Sequence, residues 1–338
     1  MNSRVLSCIK PTGGIHLGNY FGAIRNWVEL QKEHHCLFGI VDLHAMTIPY
    51  QPQELRHRTD QYFLDLLACG MNPQESTLFV QSLIPEHIEL AWILSTITPF
   101  GELRRQIQFR EMSRKLKEKQ RDALTASAGL FTYPILQAAD ILIYRALYVP
   151  VGEDQMQHLE LTRHIADRFN KRYGEFFPIP EARKTSTPKI LSLADPQKKM
   201  SKSLGEKHYI GLFEPEEEIQ KKIKAAVTDS GNGKSGEMSP GVFNLFQILQ
   251  ASEGNGVYET LHNDYKKGTL KYADLKAAVS ESVVNLTHQL KEKRAELEKD
   301  KSLLFDVIRE MSKRARAMAQ ETLFEVKERV GIKSISYF

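Results

Sequence analysis

Apolar positions come in short blocks in the first half of the chain and in long periodic ones in the second. Four short runs have strand length: Arg4-Val-Leu-Ser-Cys-Ile9, Cys36-Leu-Phe-Gly-Ile-Val41, Thr77-Leu-Phe-Val-Gln81 and Tyr148-Val-Pro-Val151. The second is apolar throughout and ends at the polar Asp42-Leu-His-Ala, the pattern of a parallel strand buried on both faces that delivers side chains to a cleft. Helical spacing fills the intervals, from Gln53 to Cys69 with Gly70 as a suitable cap, from Pro85-Glu-His onward, from Gly129 to Tyr144, and from Gly152 to Tyr173. Short strands alternating with longer helices predict an α/β fold with a doubly wound parallel sheet. Residues from about 84 to 128 read as a helical, basic insertion without a strand. From Glu214 onward the pattern is helical, broken by Gly-Asn-Gly-Lys-Ser-Gly at 231–236, with long runs at 271–299 and 303–330. Lys and Glu at i,i+4 mark the first of these as an exposed helix.

Composition changes this picture little. A chain of 338 residues can hold a large core and two domains, and 41% hydrophobic with 26% charged residues is ordinary for a globular protein. A net charge of +4 is too small to imply a nucleic-acid partner. Its distribution says more, because Arg104, Arg105, Arg110, Arg114, Lys115, Lys117, Lys119 and Arg121 outnumber Glu102, Glu111, Glu118 and Asp122 in one segment. That excess fits either a solvated helix or a phosphate-facing surface. Cys8, Cys36 and Cys69 lack metal-ligand spacing and read as thiols of a reducing compartment. The first strand begins almost at once, and no apolar run reaches the roughly 20 residues of a bilayer span. The expectation is a cytoplasmic protein.

Chemistry gathers at a few stretches. In Lys10–Ala23 a strand meets a glycine turn and then a helix, a layout that sets backbone N–H groups and a helix start before an anion. With a helix beginning near Ile15, His16 and Asn19 share one face of its first turn and can both donate to phosphate. Lys198-Lys-Met-Ser-Lys-Ser203 is a second basic loop. Asp42 and His44 share a face in extended backbone and separate in a helix. Gln137 and Asp140 are set into the apolar Gly129–Tyr144 run, and a carboxylate there needs a partner, since unpaired burial costs several kcal/mol. Tyr133, about two turns earlier, can lie on the same face. Gly152 at a strand end allows close approach of a ligand, and Asp154 and Gln155 can accept from ribose hydroxyls or an ammonium. His158 reads as structural. Along the first strand Leu6, Cys8 and Lys10 face one way and Val5, Ser7 and Ile9 the other.

Pro11-x-Gly-x-x-His-Leu-Gly-Asn19, paired with Lys198–Ser203 about 180 residues later, resembles the two ATP-binding signatures of class I aminoacyl-tRNA synthetases. Pro150-Val-Gly-Glu-Asp-Gln155, Tyr133-Pro134 and Ala138-Ala-Asp-Ile-Leu142 make the likeness one to the tryptophanyl-tRNA synthetase family, from residue 4 to about 330. The resemblance implies a Rossmann-type catalytic domain over 1–195 with the insertion at about 84–128. It implies a helical, anticodon-binding domain over 196–338, whose last run, 303–330, is free to pack back on the first. It gives His16, Asn19, Lys199 and Lys202 catalytic roles on the triphosphate. Lys10, Pro11, Thr12, Gly18, Asn19, Gly152, Glu153, Asp154, Ile190, Lys199, Met200, Ser201, Lys202 and Ser203 would bind ATP. Leu6, Cys8, His44, Tyr133, Gln137, Asp140 and Gln155 would bind tryptophan, with Asp140 accepting the indole N–H. Mg²⁺ would arrive with ATP, without a protein-bound structural metal, and the partners would be tRNA and a second copy in a homodimer, with no membrane.

The chain departs from the family pattern in places. Ser7-Cys-Ile-Lys-Pro11 stands for Ser-Gly-x-Gln-Pro, Arg110-Glu-Met112 lacks an expected lysine, Leu204-Gly205 follows the second signature where an acidic residue is usual, and Leu43 and Gln137 differ from many bacterial members. Leu6, Cys8 and Lys10 would then form an altered wall, with Lys10 offsetting the lysine missing at Met112. Three rivals share the fold: a tyrosyl-tRNA synthetase, a nucleotidyltransferase making a dinucleotide, and a non-enzymatic RNA-binding paralogue.

Overall fold

The structure, a computed structural model, describes residues 3–106, 127–152, 155–183, 188–228, 238–252 and 255–333. Five parallel strands, β1 (Arg4–Ile9), β2 (His35–Ile40), β3 (Ser76–Val80), β4 (Tyr148–Pro150) and β5 (Glu181–Arg183), form one sheet in the order β3-β2-β1-β4-β5. The chain winds outward from β1 in both directions, so the strand order reverses between β1 and β4. That reversal opens a crevice beyond the carboxyl ends of these two strands. β5, Glu-Ala-Arg, is the strand that the hydrophobic pattern misses. At three residues on the sheet edge it is too short and too polar to leave a signal.

Helices cover both faces. The first helical segment runs as α1 (Leu17–Asn19), a π-helical stretch (Tyr20–Ile24) and α2 (Arg25–Leu30). α3 (Asp42–Ala45) and α4 (Pro52–Ala68) follow β2, α5 (Glu86–Ser95) and α6 (Phe100–Arg104) follow β3, and α7 (Ala128–Leu142) precedes β4. α8 (Met156–Tyr173) joins β4 to β5. The remaining helices are α9 (Glu216–Lys224), α10 (Pro240–Ala251), α11 (Asn255–Lys266), α12 (Tyr272–Glu298) and α13 (Lys301–Val330).

Alternation along each strand divides the interior in two. Val5, Cys36, Phe38, Leu78 and Val80 pack with α2, α4, the second signature and α9–α12. Leu6, Leu37 and Phe79 point to the other face and pack with α5, α7 and α8. α13 serves both: Ile308 and Met311 belong to the first core, whereas Ala315, Ala319, Leu323 and Val326 belong to the second. The last helix therefore crosses the outer edge of β3, where its two small alanines allow close approach. Arg294 of α12 ties the C-terminal helices to α4 through Asp65 at 2.7 Å.

Candidate active site

β1 and β4 end at the crevice, and there a cavity of about 200 Å³ opens. Leu6, Cys8 and Lys10 line it from β1 and its extension, His44 from α3, Tyr133, Gln137 and Asp140 from α7, and Gln155 from the start of α8. All seven side chains named from the sequence for tryptophan border this one space, with Lys10 beside them. Ser7, expected on the opposite side of the strand, also contributes to the wall, where its hydroxyl reaches the Pro150 carbonyl at 3.5 Å. The volume is below the roughly 300–1,000 Å³ of drug-sized sites, on the scale of one amino acid.

Asp140 marks the closed end. Its carboxylate is buried and accepts three hydrogen bonds: His44 Nε2 to Oδ2 at 2.8 Å, His87 Nδ1 to Oδ1 at 2.6 Å and Gln81 Nε2 to Oδ1 at 2.7 Å. Burial alone would raise its pKa, but the two imidazoles outweigh that penalty and hold the group well below the usual carboxylate range. His87 passes the chain of bonds on, its Nε2 meeting the Tyr144 hydroxyl at 2.7 Å. A carboxylate offers about four acceptor positions, so three protein donors leave one, and Oδ2 is the less occupied oxygen. Gln81 and His87 are the partners that sequence reasoning missed. The available signal was positional, since Gln81 directly follows a parallel strand, where cleft residues concentrate. α3 resolves the alternatives for Asp42 and His44: the helix separates them, and Asp42 turns away to accept from the Ser82 backbone N–H at 3.0 Å. Tyr133 and His158 bond each other at 2.6 Å, and Gln137 donates to Gln155 at 3.5 Å.

The two signatures meet at the other side of the crevice. His16 is not on the helix face as expected but caps α1. Its Nδ1 accepts from Asn19 N–H at 3.3 Å, and Asn19 Oδ1 accepts from His16 N–H at 3.3 Å. The Leu17 N–H is also taken, by the Ile210 carbonyl at 2.9 Å. The expectation of backbone donors awaiting an anion therefore fails for Leu17 and Asn19, because the capping box and the Ile210 carbonyl have already satisfied them. What His16 can still offer is its Nε2 proton. Burial first, then the charges of Lys202 and Lys199, push its pKa down to about 3, so it is a neutral donor.

The second signature is pinned against the first. Met200 is buried and its N–H donates to the Ile190 carbonyl at 3.0 Å. Gly18 is needed there, because a Cβ would stand 3.3 Å from Met200 Cβ and 3.0 Å from the His16 ring. Lys202 reaches back to the carbonyls of Thr12 and Gly14, at 2.6 Å for the latter, and to the Tyr62 hydroxyl at 3.3 Å. Gly13 has φ +64°, and a Cβ would lie 2.8 Å from the Lys202 stem. Burial, then the nearby Arg58 charge, brings the Lys202 ammonium down to about 8. Ser201 and Ser203 share a hydrogen bond of 2.9 Å, Lys199 is exposed beside the loop, and Gly152 is exposed beyond β4. Pro11 is buried at the end of β1. Glu153 and Asp154 lie outside the described residues, as do Arg110, Met112 and Arg114, and with them the proposed exchange between Lys10 and Met112. No group of three or more His, Cys, Asp or Glu side chains fit to hold a metal occurs among the described residues.

Residues 1–288 match the family model for class I tRNA synthetases (W and Y). A tryptophan–tRNA ligase 2 of Streptomyces avermitilis is 44% identical over 333 residues, 97% of this chain and 96% of its own. A tryptophan–tRNA ligase of Clostridium tetani is 43% identical over 330 residues, 97% of this chain and 95% of its own. The crystal structure of tryptophanyl-tRNA synthetase from Campylobacter jejuni complexed with ADP and tryptophan superposes with a TM-score of 0.84 at 34% identity, covering 97% of this chain and all of that one. With the parallel sheet, its crevice and both signatures in place, the chain belongs to the class I tRNA synthetases of the W and Y family.

Proposed function

We propose that this chain joins tryptophan to its tRNA at the expense of ATP, as an aminoacyl-tRNA ligase. The tryptophan carboxylate attacks the α-phosphorus of ATP, the bond to pyrophosphate breaks, and tryptophanyl-adenylate forms. A ribose hydroxyl at the end of the tRNA then attacks the carbonyl carbon and AMP leaves. The observation that carries this reading is the cavity: a buried, ionised carboxylate stands in its wall, and the same lining holds Lys10, which leads directly into the first nucleotide signature. An ionised acceptor in a slot walled also by Leu6, Val41, Ile141 and Val149 favours a flat aromatic side chain bearing one N–H, and the Lys10 ammonium in the lining suits a carboxylate. Family relatives named for tryptophan–tRNA ligation support the same choice over tyrosine or a dinucleotide product.

Neither step asks for a protein nucleophile, since the substrates supply both. The protein positions the groups and stabilises developing phosphate charge. In this reading Lys199 and Lys202 meet the leaving pyrophosphate and the His16 Nε2–H donates to a phosphate oxygen. Asn19 holds His16 in the right tautomer. Lys202 must first leave the Thr12 and Gly14 carbonyls, so the loop moves when the triphosphate enters. Mg²⁺ would ride chiefly on the ATP phosphates and water.

Residues 1–195 together with Lys198–Ser203 would then serve activation and the rest of 196–338 the tRNA, in the cytoplasm. No helix among the described residues is long and apolar enough to cross a membrane. A homodimer is supported by an apolar outer face on α5 and α6, where Ile88, Trp92 and Phe100 are 52%, 73% and 67% exposed. The test of the function is exchange of labelled pyrophosphate into ATP, with each amino acid in turn. Tryptophan alone should support it, and Asp140→Asn should raise the tryptophan KM by at least about tenfold while ATP binding holds. Exchange driven equally by tyrosine, or an unchanged KM in Asp140→Asn, would sink the assignment.

A further inference from the structure

Two of the three donors that hold Asp140 sit one residue away from a contact with α13. Gln81 follows Val80, whose N–H donates to Ser312 Oγ at 3.4 Å. His87 follows Glu86, whose buried carboxylate accepts from Arg316 Nε at 2.9 and 3.2 Å. Ser312 and Arg316 are four apart, one turn along the same side of α13. The neighbouring Ala315 and Ala319 are fully buried, which brings the helix close against β3 and α5. Among the described residues β3 has no strand on its outer side, and the Val80 N–H finds its partner on α13.

The torsion that turns an aspartate carboxylate is broad and has no strong intrinsic minimum. The direction of Asp140's remaining acceptor position is therefore set by its donors, not by its own rotamer. We infer that Ser312 and Arg316 are positioning residues for tryptophan: by fixing both ends of the 80–87 segment they fix Gln81 and His87, and so aim Asp140. This rests on the reading of Asp140 as the acceptor of the indole N–H. It makes amino-acid recognition depend on the helix that ends the chain's described part, more than 225 residues away in sequence from the donors it steadies.

A purely structural role for the two residues would lower stability and scale down every substrate alike. A positioning role changes discrimination. The readout is the ratio of kcat/KM for tryptophan to that for its benzothiophene analogue, in which sulfur replaces the indole N–H, measured in pyrophosphate exchange. Arg316→Met combined with Ser312→Ala should raise the tryptophan KM about tenfold, lower that ratio several-fold and leave the ATP KM within about twofold. Arg316→Lys, which keeps the charge on Glu86, should recover most of the ratio. An unchanged ratio and an unchanged tryptophan KM in the double variant overturn the inference. If the double variant fails to fold, Ser312→Ala and Arg316→Met as single variants carry the same comparison. Asp140→Asn separates the two levels. Loss of discrimination there with none in the α13 variants overturns this inference alone, whereas no loss in Asp140→Asn overturns the reading beneath it.

Discussion

At the scale of single residues, Lys202 carries the clearest pH signature. Its ammonium, ordinarily charged to about 10.5, loses its proton near 8 in the folded protein, burial being the main cause. Between those values the unfolded chain binds the extra proton, so this group's penalty on stability is full below 8 and fades as pH rises from 8 to 10.5. Catalysis runs the other way, because the neutral amine cannot meet phosphate charge. In the free enzyme kcat/KM for ATP should fall about tenfold per pH unit above about 8, and Lys202→Arg should remove that limb while lowering the plateau. A limb that persists in Lys202→Arg belongs to another group. His16 contributes no limb near neutrality, since it is already the neutral imidazole above about 3. Because the unfolded imidazole binds a proton below about 6.5, His16 weakens folding as pH drops from there.

The residues named from sequence for the amino acid came from short local motifs, and all of them border one cavity. Gln81 and His87 escaped because their link to Asp140 spans 59 and 53 positions, and no local pattern encodes a partner at that range. His16 shows the opposite problem. Its motif was plain, but a shift of the helix start by two residues, from Ile15 to Leu17, changes it from a face residue into a cap.

Among elements, the turn between β1 and α1 is the most constrained. Gly13 combines a left-handed backbone with contact against the stem of Lys202, so a methyl group meets both a backbone cost and a displaced loop. Gly13→Ala should cost about 1–2 kcal/mol in stability. It should lower the rate of adenylate formation by at least about tenfold, because Lys202 can no longer cross the turn. Burst kinetics together with a thermal melt would check this, and a full burst rate with a lowered Tm would make the turn merely structural. The strands that the pattern predicts are those with apolar side chains on both faces. β5 escapes because its position, not its composition, makes it a strand.

For the molecule as a whole, the exposed Ile88, Trp92 and Phe100 predict self-association. Sedimentation at micromolar concentration should give a dimer, and Trp92→Glu should shift it toward monomer by placing a charge in the apolar contact. A wild-type monomer with full activity would remove the dimer from the proposal. The same α5 carries Glu86 and His87 on its inner side, so one helix serves the outer face, the amino-acid pocket and α13.

The crossing of β3 by α13 has a consequence for how the protein is made. Val80 and Ser312 are 232 residues apart. At synthesis rates of about 5–20 residues per second, β3 leaves the ribosome roughly 10–50 s before the helix that will cover it. Throughout that interval the nascent sheet presents an open, apolar parallel edge, the kind of surface that recruits other strands. Chains that stop short of α13 keep that edge open permanently. Their fate is therefore governed by capture and aggregation, and the last helix completes solubility as well as the fold.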